Sequence, residues 1–169
     1  MCPFVTWRKG ALLACLLLVG ILKADEEKVP LDKLPKAVLD AVKARYPGAE
    51  LTGAEKEEGG KMVYEVALKA KGQKIEVTLT PEGKIVEIER QIAAKDMPKA
   101  VTDALQAKYP KATYKVVEEV IKGNGKEEKV DYYEVLLVTA GKDKLEVSVA
   151  PEGKILKEEK KGKADKDKD

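Results

Sequence analysis

Apolar residues recur at three- and four-residue spacing in two stretches of the chain. Leu34, Ala37, Val38, Ala41, Val42 and Tyr46 form the first series, and Met97, Ala100, Val101, Ala104, Leu105 and Tyr109 the second. That period predicts two amphipathic helices. Pro35 and Pro98 suit a first helical turn, where no backbone donor is needed. Pro47 and Pro110 drive the tyrosine before them out of the helical region and end each helix. After each helix the period falls to two. Ile75, Val77 and Leu79 alternate with Glu76, Thr78 and Thr80, as in a strand with one buried and one wet face. The clearest strands are Met62–Lys69, Lys74–Thr80, Tyr132–Thr139 and Lys144–Val149. Pro81-Glu82-Gly83 and Pro151-Glu152-Gly153 read as turns, and Glu58-Gly59-Gly60-Lys61 as a hairpin tip.

The two series belong to a tandem repeat. Leu34-Pro35-Lys36-Ala37-Val38 returns as Met97-Pro98-Lys99-Ala100-Val101. Tyr64-Glu65-Val66 returns as Tyr133-Glu134-Val135, and Pro81-Glu82-Gly83-Lys84-Ile85 as Pro151-Glu152-Gly153-Lys154-Ile155. The separation between matching motifs widens after the helix, so the second copy carries an insertion before Tyr133. The expected fold is α+β, with two repeats, each one helix packed on a four-stranded antiparallel sheet. The repeats span 25–90 and 91–157, each near the lower size limit for an independent core, so an interface or a continuous sheet between them is expected. Residues 158–169 read as a disordered charged tail.

Residues 1–24 carry the physics of an export signal. Arg8 and Lys9 precede an apolar run from Ala11 to Leu22 that is short for a membrane span, and cleavage is expected after Ala24. A lipoprotein reading of Leu12-Leu13-Ala14-Cys15 and an uncleaved anchor are the alternatives. The expected location is periplasmic or secreted, with no stable membrane insertion after cleavage.

Removing that segment takes away Cys2, Cys15, Phe4 and Trp7, and the whole chain has no histidine. The remainder has neither a disulfide nor the commonest general base and zinc ligand. Ser148 is the one serine, and no histidine exists to activate it, so Ser–His and Cys–His chemistry is closed. No catalytic residue, cofactor or metal site is expected. Asp165, Asp167 and Asp169 alternate as in a calcium loop, but Lys166 and Lys168 cancel their field. Adjacent acids such as Glu57-Glu58 and Glu118-Glu119 point to opposite faces of a strand and cannot share a substrate. Without residues 1–24 the charge is 29 basic (32 − 3) against 30 acidic, which argues against nucleic acid as a partner.

Leu-Pro-x-Ala-Val opening a helix, Tyr-Pro-x-Ala closing it, Tyr-Glu-Val in the second strand and Gly-Lys-Ile starting the fourth resemble the PepSY-like family, related in fold to the beta-lactamase inhibitor protein. The resemblance covers nearly all of residues 31–157, twice. It implies an exported module that binds protein or peptide and restrains a secreted hydrolase, with no catalytic activity. It also implies core roles for Tyr46, Tyr64, Tyr109 and Tyr133.

The copies differ in two places. The second has a longer hairpin, Lys122 to Lys129, containing Gly123, Asn124 and Gly125. Such a tip either carries function or simply tolerates insertion. Its second strand is also apolar on both faces: Tyr133, Val135 and Leu137 on one, and Tyr132, Leu136 and Val138 on the other. The strand before it has Val116 and Val120 on one face, Val117 and Ile121 on the other. Such a sheet needs a second cover, from the other repeat, a second protomer or a partner. The candidate partner-binding set is therefore Tyr132, Leu136, Val138, Val117, Ile121, Gly123, Asn124 and Gly125. The expected function is non-enzymatic protein or peptide binding, an inhibitor or regulator of a secreted or periplasmic hydrolase. The alternative is a structural, self-associating module, with a homodimer closing the apolar face.

Overall fold

The computed structural model describes residues 25–59, 61–123 and 129–163. The expected export signal, Asn124, Gly125 and the aspartates whose calcium-like spacing was set aside lie outside them. Within the described residues nine strands and two helices follow in order: β1 (Asp25–Lys28), α1 (Lys36–Arg45), β2 (Glu50–Gly59), β3 (Lys61–Ala70), β4 (Gln73–Leu79), β5 (Ile85–Gln91), α2 (Lys99–Lys108), β6 (Thr113–Lys122), β7 (Tyr132–Val138), β8 (Asp143–Val149) and β9 (Ile155–Lys163).

All nine strands form one antiparallel sheet in which spatial order equals sequence order. The expectation of two repeats, each with its own four-stranded sheet, is corrected here. β5 pairs with β6, with Ile88 opposite Ile121 and Arg90 opposite Glu119, so the two copies share a continuous ladder. A unit as small as one copy buries too little surface alone, and separate sheets would leave β5 and β6 as unpaired edges. The ninth strand, β1, pairs with β2 from the lead-in segment.

The tail also differs from expectation. Residues 158–163 continue β9, paired with β8 out to Lys163 opposite Asp143. Backbone pairing, not side-chain burial, holds this segment, and its lysines suit an edge strand that must not recruit another chain.

Both helices pack on one face of the sheet. Val38 and Val42 of α1 are fully buried with Val66, Leu68, Val77, Leu79 and Ile88. Val101 and Leu105 of α2 are buried with Val135, Leu137, Val147 and Val149. Ile121, from the second copy, lies in the first core, and Val130 packs against both. The four motif tyrosines, Tyr46, Tyr64, Tyr109 and Tyr133, all pack against the core of their own copy.

The Pro-Glu-Gly turns have a packing reason. Gly83 and Gly153 have φ of 81° and 90°, and a Cβ on either would overlap the carbonyl of Ala37 or Ala100 in the first turn of the helix. Each turn thus seats the start of its helix against the sheet, and only glycine fits.

Candidate functional site

The other face of the sheet has no helix on it, and a row of glutamates crosses it. Each strand from β2 to β9 contributes one residue to the row: Glu55, Glu65, Glu76, Glu89, Glu118, Glu134, Glu146 and Glu159. The register makes four directly opposed pairs, Glu55 with Glu65, Glu76 with Glu89, Glu118 with Glu134, and Glu146 with Glu159. Successive pairs are offset by two positions, which keeps them within diagonal reach. All eight side chains are half-buried.

These glutamates occupy equivalent positions in the two copies. Glu118, Glu134, Glu146 and Glu159 stand in the second where Glu55, Glu65, Glu76 and Glu89 stand in the first. Acids compared only with their neighbours along the chain do not reveal the row. The correspondence between the copies is the signal that picks it out.

Like charges opposite one another on a sheet are destabilising, and the row relieves this unevenly. At the β9 end Lys161 bridges Glu146 and Glu159, at 3.1 and 3.2 Å, and Lys157 reaches Glu159 at 3.0 Å. Among the described residues Glu65, Glu76, Glu89 and Glu118 have no ion pair within 4 Å. At Glu65, Glu89 and Glu118 protons take that role instead. Burial, with Glu118 and Glu134 adding to it, pushes Glu89 up to about 8. Burial and Glu76 push Glu65 up to about 7, and a hydrogen bond between those two carboxyls needs a proton. Glu118 rises to about 7 through burial and then Glu76, against the pull of Lys74. Glu134 is raised by burial and Glu146, with Lys157 and Lys161 opposing, and accepts a hydrogen bond from the buried Ser148 at 3.4 Å. Lys74, Glu76, Glu89, Gln91, Val116 and Glu118 line a shallow depression of about 200 Å³ in mid-row.

An apolar margin accompanies the acids. Tyr132, Leu136 and Val138 all lie on this face, half-buried, with Leu136 opposite Val116 and Glu146. Tyr132 stands opposite Val120, which is fully buried yet belongs to neither helix-covered core. Lys122 sits 5.2 Å from the Tyr132 ring centre, a cation–π distance.

The remaining candidates lie elsewhere. A bulge between Tyr114 and Val116 resets the alternation of β6, so Val117 turns inward and is 3 % exposed in the second core. Ile121 turns inward as well and is 2 % exposed in the first core. Neither shares a face with Tyr132. Gly123 follows β6, donates its N–H to the Val86 carbonyl at 2.7 Å, and borders an exposed apolar groove with Met62, Val63 and Val86.

The cross-strand pairs do bring carboxyls onto one face, which adjacent acids could not, but as a row along an open sheet. Among the described residues no group of three or more His, Cys, Asp or Glu side chains is arranged to hold a metal ion. Nor is any described helix long and apolar enough to cross a membrane.

A model of the family described as "putative beta-lactamase-inhibitor-like, PepSY-like" matches residues 21–87 and 76–157. A search of curated proteins finds no match. Among solved structures, a "putative periplasmic" protein of Bacteroides eggerthii superposes with a TM-score of 0.63 at 19 % identity, covering 75 % of this chain and 88 % of that one. A DUF2874 family protein of Bacteroides uniformis gives 0.62 at 19 %, with the same coverage. A BLIP-like protein of Bacteroides fragilis gives 0.57 at 23 %, covering 77 % and 88 %. These likenesses concern the fold. With the family model spanning both copies, the chain belongs to the beta-lactamase-inhibitor-like, PepSY-like family.

Proposed function

We propose that this chain is an exported, non-enzymatic binding module whose helix-free face docks a cationic segment of a partner protein, restraining a secreted or periplasmic hydrolase. The observation that carries this reading is the central part of the glutamate row, Glu65, Glu76, Glu89 and Glu118, half-buried and without an ion pair among the described residues. Lysines or arginines from a partner would replace the protons held by Glu65, Glu89 and Glu118 and turn a like-charge cost into paired charge. Tyr132, Leu136 and Val138 supply the apolar contact that a charged face lacks. The names of the family and of its structural relatives, inhibitor-like and periplasmic, point the same way.

Titration calorimetry against purified exported hydrolases, β-lactamases among them, tests the reading. A complex that weakens with salt, and weakens further in the Glu89→Gln/Glu118→Gln double variant and in Leu136→Asp, is the expected result. Complexes indifferent to all three changes, or a row that closes a salt-resistant homodimer, would overturn it.

A further inference from the structure

The strands run between two ends of the sheet, and the ends differ in charge. One end gathers the links from helix to strand, 46–49 and 109–112, and the β3–β4 and β7–β8 turns. These read Tyr-Pro-Gly-Ala, Tyr-Pro-Lys-Ala, Lys71-Gly72 and Thr139-Ala140-Gly141-Lys142, with three lysines and no acid. The other end holds Lys61, Lys84 and Lys154, each with an acid close along the chain, Glu58, Glu82 and Glu152.

The backbone singles out the same three lysines. Among the described residues three that are not glycine have a left-handed φ: Lys71 at 51°, Lys111 at 64° and Lys142 at 65°. A side chain is disfavoured in that region. Lys71 and Gly72 form the two-residue loop between Ala70 and Gln73, in which asparagine is the favoured first residue. Lys142 ends the three-residue loop of the β7–β8 turn and donates its N–H to the Thr139 carbonyl at 2.9 Å, in a place usually given to glycine. Lys111 is the repeat equivalent of Gly48, whose φ is 78°. The same bond closes both turns, Ala49 donating to Tyr46 and Ala112 to Tyr109. The chain thus bears backbone strain three times to keep a cation at one end of the sheet. Complementing a helix dipole accounts at most for Lys111, since the other two lie between strands.

All three are exposed, and among the described residues none of them makes an ion pair. The turns of Lys71 and Lys142 are four strands apart, about 19 Å at the usual strand spacing. That exceeds the screening length of about 8 Å in physiological salt, so no small anion is held by both at once. The exposed large apolar residues, Met62, Val86 and Leu156, belong to the opposite end. This end therefore lacks the apolar anchors of a protein interface core. Lysines are point charges on flexible stems and demand no shaped partner. We infer that this end of the sheet adsorbs to an anionic lipid surface, headgroup phosphates meeting Lys71, Lys111 and Lys142, with Lys69, Lys74 and Lys144 beside them. The attraction is electrostatic and inserts nothing. The strands then stand away from the surface, and the helix-free face stays open sideways, whichever partner that face takes.

The protein as processed by cells is floated with phosphatidylcholine vesicles, with and without phosphatidylglycerol. Binding that needs phosphatidylglycerol and is lost as salt rises is expected. Lys71→Asn/Lys111→Gly/Lys142→Gly removes three charges and gives the backbone residues it favours at those turns. Its melting temperature should not fall below the parent's, so lost binding is not lost folding. Its affinity for the anionic vesicles should drop on the order of a hundredfold. Lys61→Gln/Lys84→Gln/Lys154→Gln removes as much charge from the opposite end and should bind as the parent does. Residues outside the described set are the same in every variant, so what they contribute cancels. Equal losses in the two triple variants would make net charge responsible and overturn the inference. So would the absence of any preference for phosphatidylglycerol, or anionic-vesicle binding that the first triple variant keeps. Retention on soluble dextran sulfate without binding to vesicles would overturn it as well, in favour of a soluble acidic partner.

Discussion

Ile88 and Ile121 face each other across the β5–β6 ladder, 1 % and 2 % exposed, and through this pair a residue of the second copy completes the core of the first. The copies are therefore not independent folding units. Ile121→Ala should cost about 2–5 kcal/mol and lower the melting temperature of the whole described sheet in one transition. Calorimetry resolving two transitions, with only one shifted, would contradict the shared core.

The turn glycines give a matched comparison. Gly83 and Gly72 share a φ of 81°, but an added Cβ at Gly72 meets nothing within 4 Å, while at Gly83 it overlaps the Ala37 carbonyl. Gly72→Ala should cost about 1 kcal/mol, the conformational term alone. Gly83→Ala should cost clearly more, in the range of about 2–4 kcal/mol, because the helix start must move. Chemical denaturation of the two variants side by side checks it, and equal costs would remove the role given to the turn.

Stability should fall as pH rises. Glu65, Glu89 and Glu118 hold protons up to about 7, about 8 and about 7, whereas in the unfolded chain they release them near the ordinary glutamate value. Between roughly pH 4.5 and 8 the folded state thus binds more protons than the unfolded one, and unfolding free energy declines with pH. With discounting for solvent screening the decline is about 2 kcal/mol over that window. Below it the lowered carboxylates Glu158 and Glu159 lose their lysine partners on protonation, so stability falls again toward acid. Melting temperatures from pH 4 to 9 should peak on the acid side, and Glu89→Gln should flatten the alkaline limb.

The same protons couple to partner binding. A cationic segment on the row favours ionised glutamates, so docking should release protons near pH 7 and tighten as pH rises from 6 to 9. Calorimetry in buffers of different ionisation enthalpy reads the release directly. Proton uptake on binding would mean that the partner is not cationic.

Much of the local structure was legible in the sequence. The helices and turns followed from the spacing of apolar residues and proline, and the strands β3, β4, β7 and β8 from alternation. The β5–β6 pairing was not, since a whole helix separates those strands and no tight turn marks their register. Alternation in β6 rightly set Val117 and Ile121 on the other face from Val116 and Val120, but not which face the helices cover, and both lie in the helix-covered core, on the side away from Tyr132 and Leu136. The glutamate row had a trace in the correspondence between the copies. Its opposed pairs existed only once the cross-strand register was known.

Because every strand pairs with its sequence neighbours and no others, the sheet has no closing condition. A barrel of nine strands would fix its own size, whereas this ladder could in principle be lengthened by another copied segment, four strands at a time. Its limits are set at the ends. The lysine-rich β9 pairs with β8 and, among the described residues, with no other strand, so termination is written in charge along one strand rather than in geometry. Each further copy would also lengthen the acidic track on the open face, making the reach of that surface a property selectable by duplication alone.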